Sequence, residues 1–149
     1  MEGLSTVDPE HAATYKQNRD TFMKTLEVDI PALKQHSAPL AGKSCICYHS
    51  SWAYFTAFTG LAVAGFIEPF PGVPPSPSHV ADLIDQIKKA GIKLIVVEPY
   101  FDKRVPEKIA EETGAHVITL YPSIGARSKD ETYTSFLQGD IDLLLEHTP

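Results

Sequence analysis

Only two cysteines occur among the 149 residues, Cys45 and Cys47, and they stand two apart. Side chains at that spacing on a strand share one face, a geometry poorly suited to a disulfide between them, so both are expected as reduced thiols. Basic residues are in the minority, thirteen against nineteen acidic ones, for a formal net charge of −6. That balance disfavours nucleic acid and anionic membrane surfaces as partners. No long apolar run exists either: the longest stretch, Phe55 to Phe66, is broken by Thr56, Thr59 and glycines and cannot form a spanning helix. The first residues, Met1-Glu2-Gly3-Leu4-Ser5, have neither a basic nor an apolar region, so no signal peptide is expected in the chain as given. Neither G-x-G-x-x-G nor a P-loop string occurs, and no G-x-S-x-G elbow surrounds Ser50 or Ser51. Nucleotide binding and serine nucleophile chemistry are left without support. A small ligand, a cation or another protein remains.

What is present fits one domain, since 43% hydrophobic content at this length is enough for a real core. Asp8-Pro9 reads as a helix start, an acidic cap with proline at the first helical position. Ala12, Tyr15, Phe22, Leu26, Ile30 and Leu33 then recur at helical steps and describe one apolar stripe on a long helix, which Pro31 should kink or end early. From Ser44 the chain alternates. Strands are expected at Ser44 to His49, Ala62 to Glu68, Lys93 to Glu98 and His116 to Tyr121, with helices near 51–60, 78–90, 106–112 and a last one striped by Tyr133, Phe136, Leu137, Ile141, Leu144 and Leu145. A loop with five prolines in nine residues runs from Pro69 to Pro77. The repeated strand and helix predict an α/β fold: a four-stranded parallel sheet with helices on both faces, preceded by a long N-terminal linking helix. The division expected is 1–43 for the long helix and its connection and 44–149 for the α/β lobe.

Ligands of open α/β sheets bind outside the C-terminal ends of the strands. Those ends carry His49, Glu68, Glu98 and the corner Tyr121-Pro122-Ser123. A histidine and two carboxylates there suit a divalent cation, because imidazole nitrogen and carboxylate oxygen both bind zinc or manganese. The plainer alternative is that Glu68 and Glu98, each followed by proline, accept backbone N–H groups and fix their loops. Cys45, Cys47 and His49 also form C-x-C-x-H on one strand face, against which stands the reading of both cysteines as small apolar residues of a buried strand. His11, His36 and His147 are expected in solvent, His79 in service of its loop, and His116 at the far end of its strand.

Several strings carry a resemblance. Asp8-Pro9-Glu10 opening a long helix, Pro39-Leu40-Ala41-Gly42-Lys43 before a strand, Tyr48-His49-Ser50-Ser51-Trp52-Ala53-Tyr54-Phe55, Gly65-Phe66-Ile67-Glu68-Pro69 and Pro74-Pro75-Ser76-Pro77-Ser78-His79 together resemble the zinc/manganese class of ABC-transporter solute-binding proteins. The resemblance covers nearly the whole chain. It implies a two-lobed extracytoplasmic, periplasmic or lipoprotein receptor that is not an enzyme, with metal held in the cleft between lobes and an ABC-transporter permease as partner. This chain resembles the linking helix plus the C-terminal lobe, and the match of Tyr48-His49 puts His49 on a metal-ligand position.

Two departures bear on the site. Family members usually supply two further histidines from an N-terminal lobe, and the segment before Asp8 reads Gly3-Leu4-Ser5-Thr6-Val7. A fourth ligand, often aspartate in the last strand-to-helix loop, is replaced near Tyr121-Pro122-Ser123-Ile124-Gly125, which makes Ser123 the candidate there. The expected site is therefore His49, with Glu68, Glu98 and Ser123 as further candidates, for a zinc or manganese ion held weakly or across a homodimer, including one with exchanged helices. An oligomerising or permease-docking module without metal is the alternative, and acid–base catalysis by His49 with Glu68 or Glu98 ranks last.

Overall fold

The computed structural model describes residues 1–148. Four parallel strands, β1 (Ser44–Cys47), β2 (Ala62–Phe66), β3 (Leu94–Val97) and β4 (His116–Thr119), form one sheet in the spatial order β2-β1-β3-β4. Parallel neighbours cannot be joined by a hairpin, so each connection carries a helix. These are α3 (Ala53–Thr59), α4 (Pro77–Ala90) and α5 (Arg104–Thr113), with α6 (Tyr133–Leu145) closing the chain and α1 (Glu2–Val7) and α2 (Ala12–His36) opening it. The expected α/β architecture is the observed one.

Alternation along the strands divides the interior into two cores. Cys45 and Cys47 of β1, Leu94 and Val96 of β3 and Ile118 of β4 face one side, where Leu33 of α2 and Ile141 and Leu144 of α6 cover them. Ile46 and Ile95 face the other side, against Leu83, Ile84 and Ile87 of α4 and Ile109 of α5. All four residues of β3 are buried, which is what an uninterrupted apolar run in a parallel sheet requires. At about 1.5–3 kcal/mol for each large apolar side chain buried, these two layers hold the fold.

The long helix departs from expectation. Of the kink or early end expected at Pro31, the early end does not occur, and the helix runs through to His36. Proline removes one helical hydrogen bond and costs about 3 kcal/mol or more in a helix interior, but contacts around it offset this. Leu33 is buried, Ile30 packs on the first core, and the His36 ring lies 2.5 Å from Asp142 of α6. Nor does Asp8 cap the backbone. Its carboxylate accepts the Tyr15 hydroxyl at 2.6 Å and the His11 ring at 2.9 Å, and these two contacts hold its carboxyl below the usual range. Leu33 alone of the predicted stripe is buried, while Phe22 is 48% exposed.

The loop between β4 and α6 is pinned by one arginine. Arg127 donates Nη1–H to Asp140 at 2.5 Å, Nε–H to Glu131 at 3.0 Å and Nη2–H to the Phe136 carbonyl, with its guanidinium over the rings of Tyr121 and Phe136. Gly139 makes room for it, because a Cβ there would stand 2.6 Å from the guanidinium. Asp140 is buried, and burial pushes its carboxyl up against the downward pull of Tyr121 N–H and Arg127. Arg127→Met should therefore cost about 3–5 kcal/mol at neutral pH, by leaving a buried carboxylate unpaired. A carboxyl raised in the folded state favours folding at low pH, so the loss should shrink as the buffer is made acidic. Urea midpoints at neutral and acidic pH check this; an equal loss at both would contradict it.

Candidate metal centre

In a sheet ordered β2-β1-β3-β4, the chain leaves β1 towards β2 on one side and then crosses to β3 on the other. The order reverses between β1 and β3, where open sheets of this kind form their binding crevice. His49 follows β1 and Glu98 follows β3 at that reversal. The backbone ladder continues past β1 and β2: Tyr48 N–H donates to the Val96 carbonyl at 2.7 Å, and Glu68 N–H donates to the Tyr48 carbonyl at 3.0 Å. Sheet pairing thus sets Glu68 beside His49.

The side chains complete that pairing. Nδ1 of His49 meets Oε2 of Glu68, while Oε1 of Glu68 accepts the Gly72 N–H at 2.7 Å. The imidazole is 26% exposed and the carboxylate 10%, so the ring reaches solvent and its partner lies beneath it. Phe101 lies against the ring with centroids 5.9 Å apart, and is itself stacked on Tyr48 at 4.4 Å. Burial, followed by the charges of nearby carboxylates, pushes the Tyr48 hydroxyl up.

Other candidates are placed differently. Glu98 is buried, and neither carboxylate oxygen has a hydrogen-bond partner among the described residues, so it does not anchor its loop as Glu68 does. Ser123 is exposed in the loop after β4. Cys45 and Cys47 are buried free thiols in the first core, with sulfurs 3.8 Å apart. Contact with Cys45, then burial, pushes the Cys47 thiol up. His79 serves its loop, its Nε2 donating to the Phe66 carbonyl at 2.9 Å. His11 lies on Asp8, His36 on Asp142, and His116 stacks with His147. Among the described residues no group of three or more His, Cys, Asp and Glu side chains could hold a metal ion.

Sequence reasoning passed over Asp140, Arg127 and Glu131. A signal was available: Asp140 stands four residues after Phe136 and four before Leu144, on the face the apolar stripe buries. A carboxylate on that face needs a cation, and Arg127 supplies it.

The profile of ZnuA, zinc-uptake complex component A periplasmic, matches residues 1–147. The chain belongs to the ZnuA family. It is 30% identical over 133 residues to the zinc-binding protein AdcA of Streptococcus pyogenes serotype M3, a match covering 87% of this chain and 25% of AdcA. It is 27% identical over 145 residues to the high-affinity zinc uptake system protein ZnuA of Haemophilus influenzae, covering 96% of this chain and 43% of that one. A crystal structure of ZnuA superposes on 99% of the chain with a TM-score of 0.84 at 28% identity, over 55% of its own length. The chain thus spans about half the length of the ZnuA proteins it matches, and less of AdcA. The ZnuA family is one of metal-transport components and not of enzymes.

Glu98 is buried with no hydrogen-bond partner among the described residues, an arrangement that weakens a fold. An apolar replacement of similar shape at such a position is nearly neutral or stabilising. Glu98→Met should raise the thermal midpoint, by about 1–3 kcal/mol of stability. A lower midpoint would mean that Glu98 has a stabilising partner.

Proposed function

We propose that this chain is the linking helix (1–43) and metal-facing C-terminal lobe (44–149) of the solute-binding component of an ABC transporter for zinc or manganese. His49 is the ligand this lobe presents. One observation carries the reading: in a chain of the ZnuA family, an imidazole stands at the sheet's switch point, bound through Nδ1 to a carboxylate, with Nε2 free of any partner among the described residues. Imidazole suits both metals. Zinc comes first, because AdcA and the Haemophilus ZnuA are named for it.

The cation is cargo, handed to a membrane permease from the extracytoplasmic side. A single imidazole is too few ligands, since protein zinc sites take three or four. The resemblance to zinc/manganese solute-binding proteins implies that the others come from an N-terminal lobe. Studied alone, the chain binds metal weakly or across two copies. Phe22, Met23 and Val28 of α2 are exposed, but they point to different sides of the helix and make no single apolar face.

Calorimetric titration of zinc, then manganese, into chelator-stripped protein tests the reading, with mass in solution recorded throughout. Weak saturable heat that disappears in His49→Ala is the expected result, with a rise in mass towards a dimer at high protein concentration. Heat of equal size in the variant would remove His49 from the site and sink the reading.

A further inference from the structure

Both oxygens of Glu68 are engaged. Oε1 accepts the Gly72 N–H at 2.7 Å, and Oε2 meets Nδ1 of His49. A carboxylate can only accept, so Nδ1 must donate. A neutral imidazole with its proton on Nδ1 has its lone pair on Nε2. Resting on the reading of His49 as the metal ligand, we infer that Glu68 is a positioning residue: it locks His49 in the Nδ1–H tautomer and keeps Nε2 bare for the cation, and the proline-rich loop holds Glu68 in that role.

The loop is built for this. Glu68 enters it from the sheet, fixed by its N–H on the Tyr48 carbonyl. Four residues on, Gly72 turns with φ +77, a conformation that other residues adopt only with strain, and aims its N–H back at Oε1. Phe70 and Val73 bridge across the turn, with Val73 N–H on the Phe70 carbonyl at 2.9 Å. The far end is tied down as well: Ser76 caps α4 by accepting the His79 N–H at 3.2 Å, and the His79 ring reaches back to the Phe66 carbonyl. Prolines 69, 71, 74, 75 and 77 each fix a backbone angle, so few alternative conformations compete. The Phe101 ring also lies against the imidazole, tilted by 40° with centroids 5.9 Å apart. Carboxylates that hold the second nitrogen of a metal-binding histidine raise metal affinity by about 10–100-fold.

Gly72 makes the inference sharply testable. Its N–H requires an oxygen, so in Glu68→Gln the amide oxygen should turn to Gly72 and the NH2 should face Nδ1. That amide group donates, and it would force the proton of His49 onto Nε2, the atom the cation needs. The experiment is nitrogen NMR of the His49 ring in the whole chain, in buffer alkaline enough for a neutral imidazole, followed by zinc chloride titration observed on the same signals. Wild type should show the Nδ1–H form and Glu68→Gln the Nε2–H form, with thermal midpoints little changed and zinc response weakened about 10–100-fold. The tautomer measurement needs no metal. An Nε2–H ring in wild type, or an unchanged ring in Glu68→Gln, overturns the inference. His49→Ala, titrated with zinc chloride by calorimetry beside wild type and Glu68→Gln, separates the two claims: heat that survives in His49→Ala removes the ligand reading, whereas heat lost there but unaltered in Glu68→Gln removes only the role of Glu68.

Discussion

Strand β1 is bonded on both edges, to β2 and to β3, and both of its faces are covered by helices. Its side chains therefore have no freedom in direction: Cys45 and Cys47 face one core and Ile46 the other, and a slip of one residue would exchange them. His49 follows two residues after Cys47 at the point where the sheet order reverses. Tyr48 fixes it from both sides, donating to Val96 and accepting from Glu68. Core packing and ligand placement are in this way one constraint. A disturbance of β1 would move the imidazole together with the core.

Three of the buried or nearly buried carboxylates, Glu68, Asp140 and Glu98, meet burial differently. Glu68 is shared between an imidazole and a backbone N–H. Asp140 is paired with Arg127 and also accepts the Tyr121 N–H, although burial still pushes its carboxyl up. Glu98 has neither kind of partner among the described residues. The first two tie loops to the frame at the mouth of the sheet. The third weakens the frame it sits in.

Much of the fold was legible because the signals were periodic. The run Leu94–Val97 shows burial on two faces directly, and the stripe through Phe136, Ile141 and Leu144 gives the inner side of α6. His49 could be read from its place after a strand. Its partner could not, since Glu68 and Glu98 look alike in sequence, each closing a strand before a proline, and only the register of β2 on β1 sets one of them beside the imidazole. Other misreadings came from long-range contacts overriding local rules. Pro31 is tolerated because Ile30 and Leu33 pack beside it, and the Asp8 carboxylate, at the expected helix start, accepts the hydroxyl of a tyrosine seven residues away. Helix α1 has no buried residue and so offers no periodic signal.

Pro31 has a mechanical consequence. Lacking an N–H, it leaves the carbonyl of Glu27 without its helical partner, so the rod formed by α2 has one rung missing from its ladder. In a helix with nothing packed on it, such a gap is where bending is easiest. The gap lies between Ile30 and Leu33, both packed on the first core, and further back Phe22 meets the ring of Tyr133 of α6. The weakest point of the rod is thus clamped to the lobe by side chains on either side of it, so the missing rung is braced where a free helix would give way.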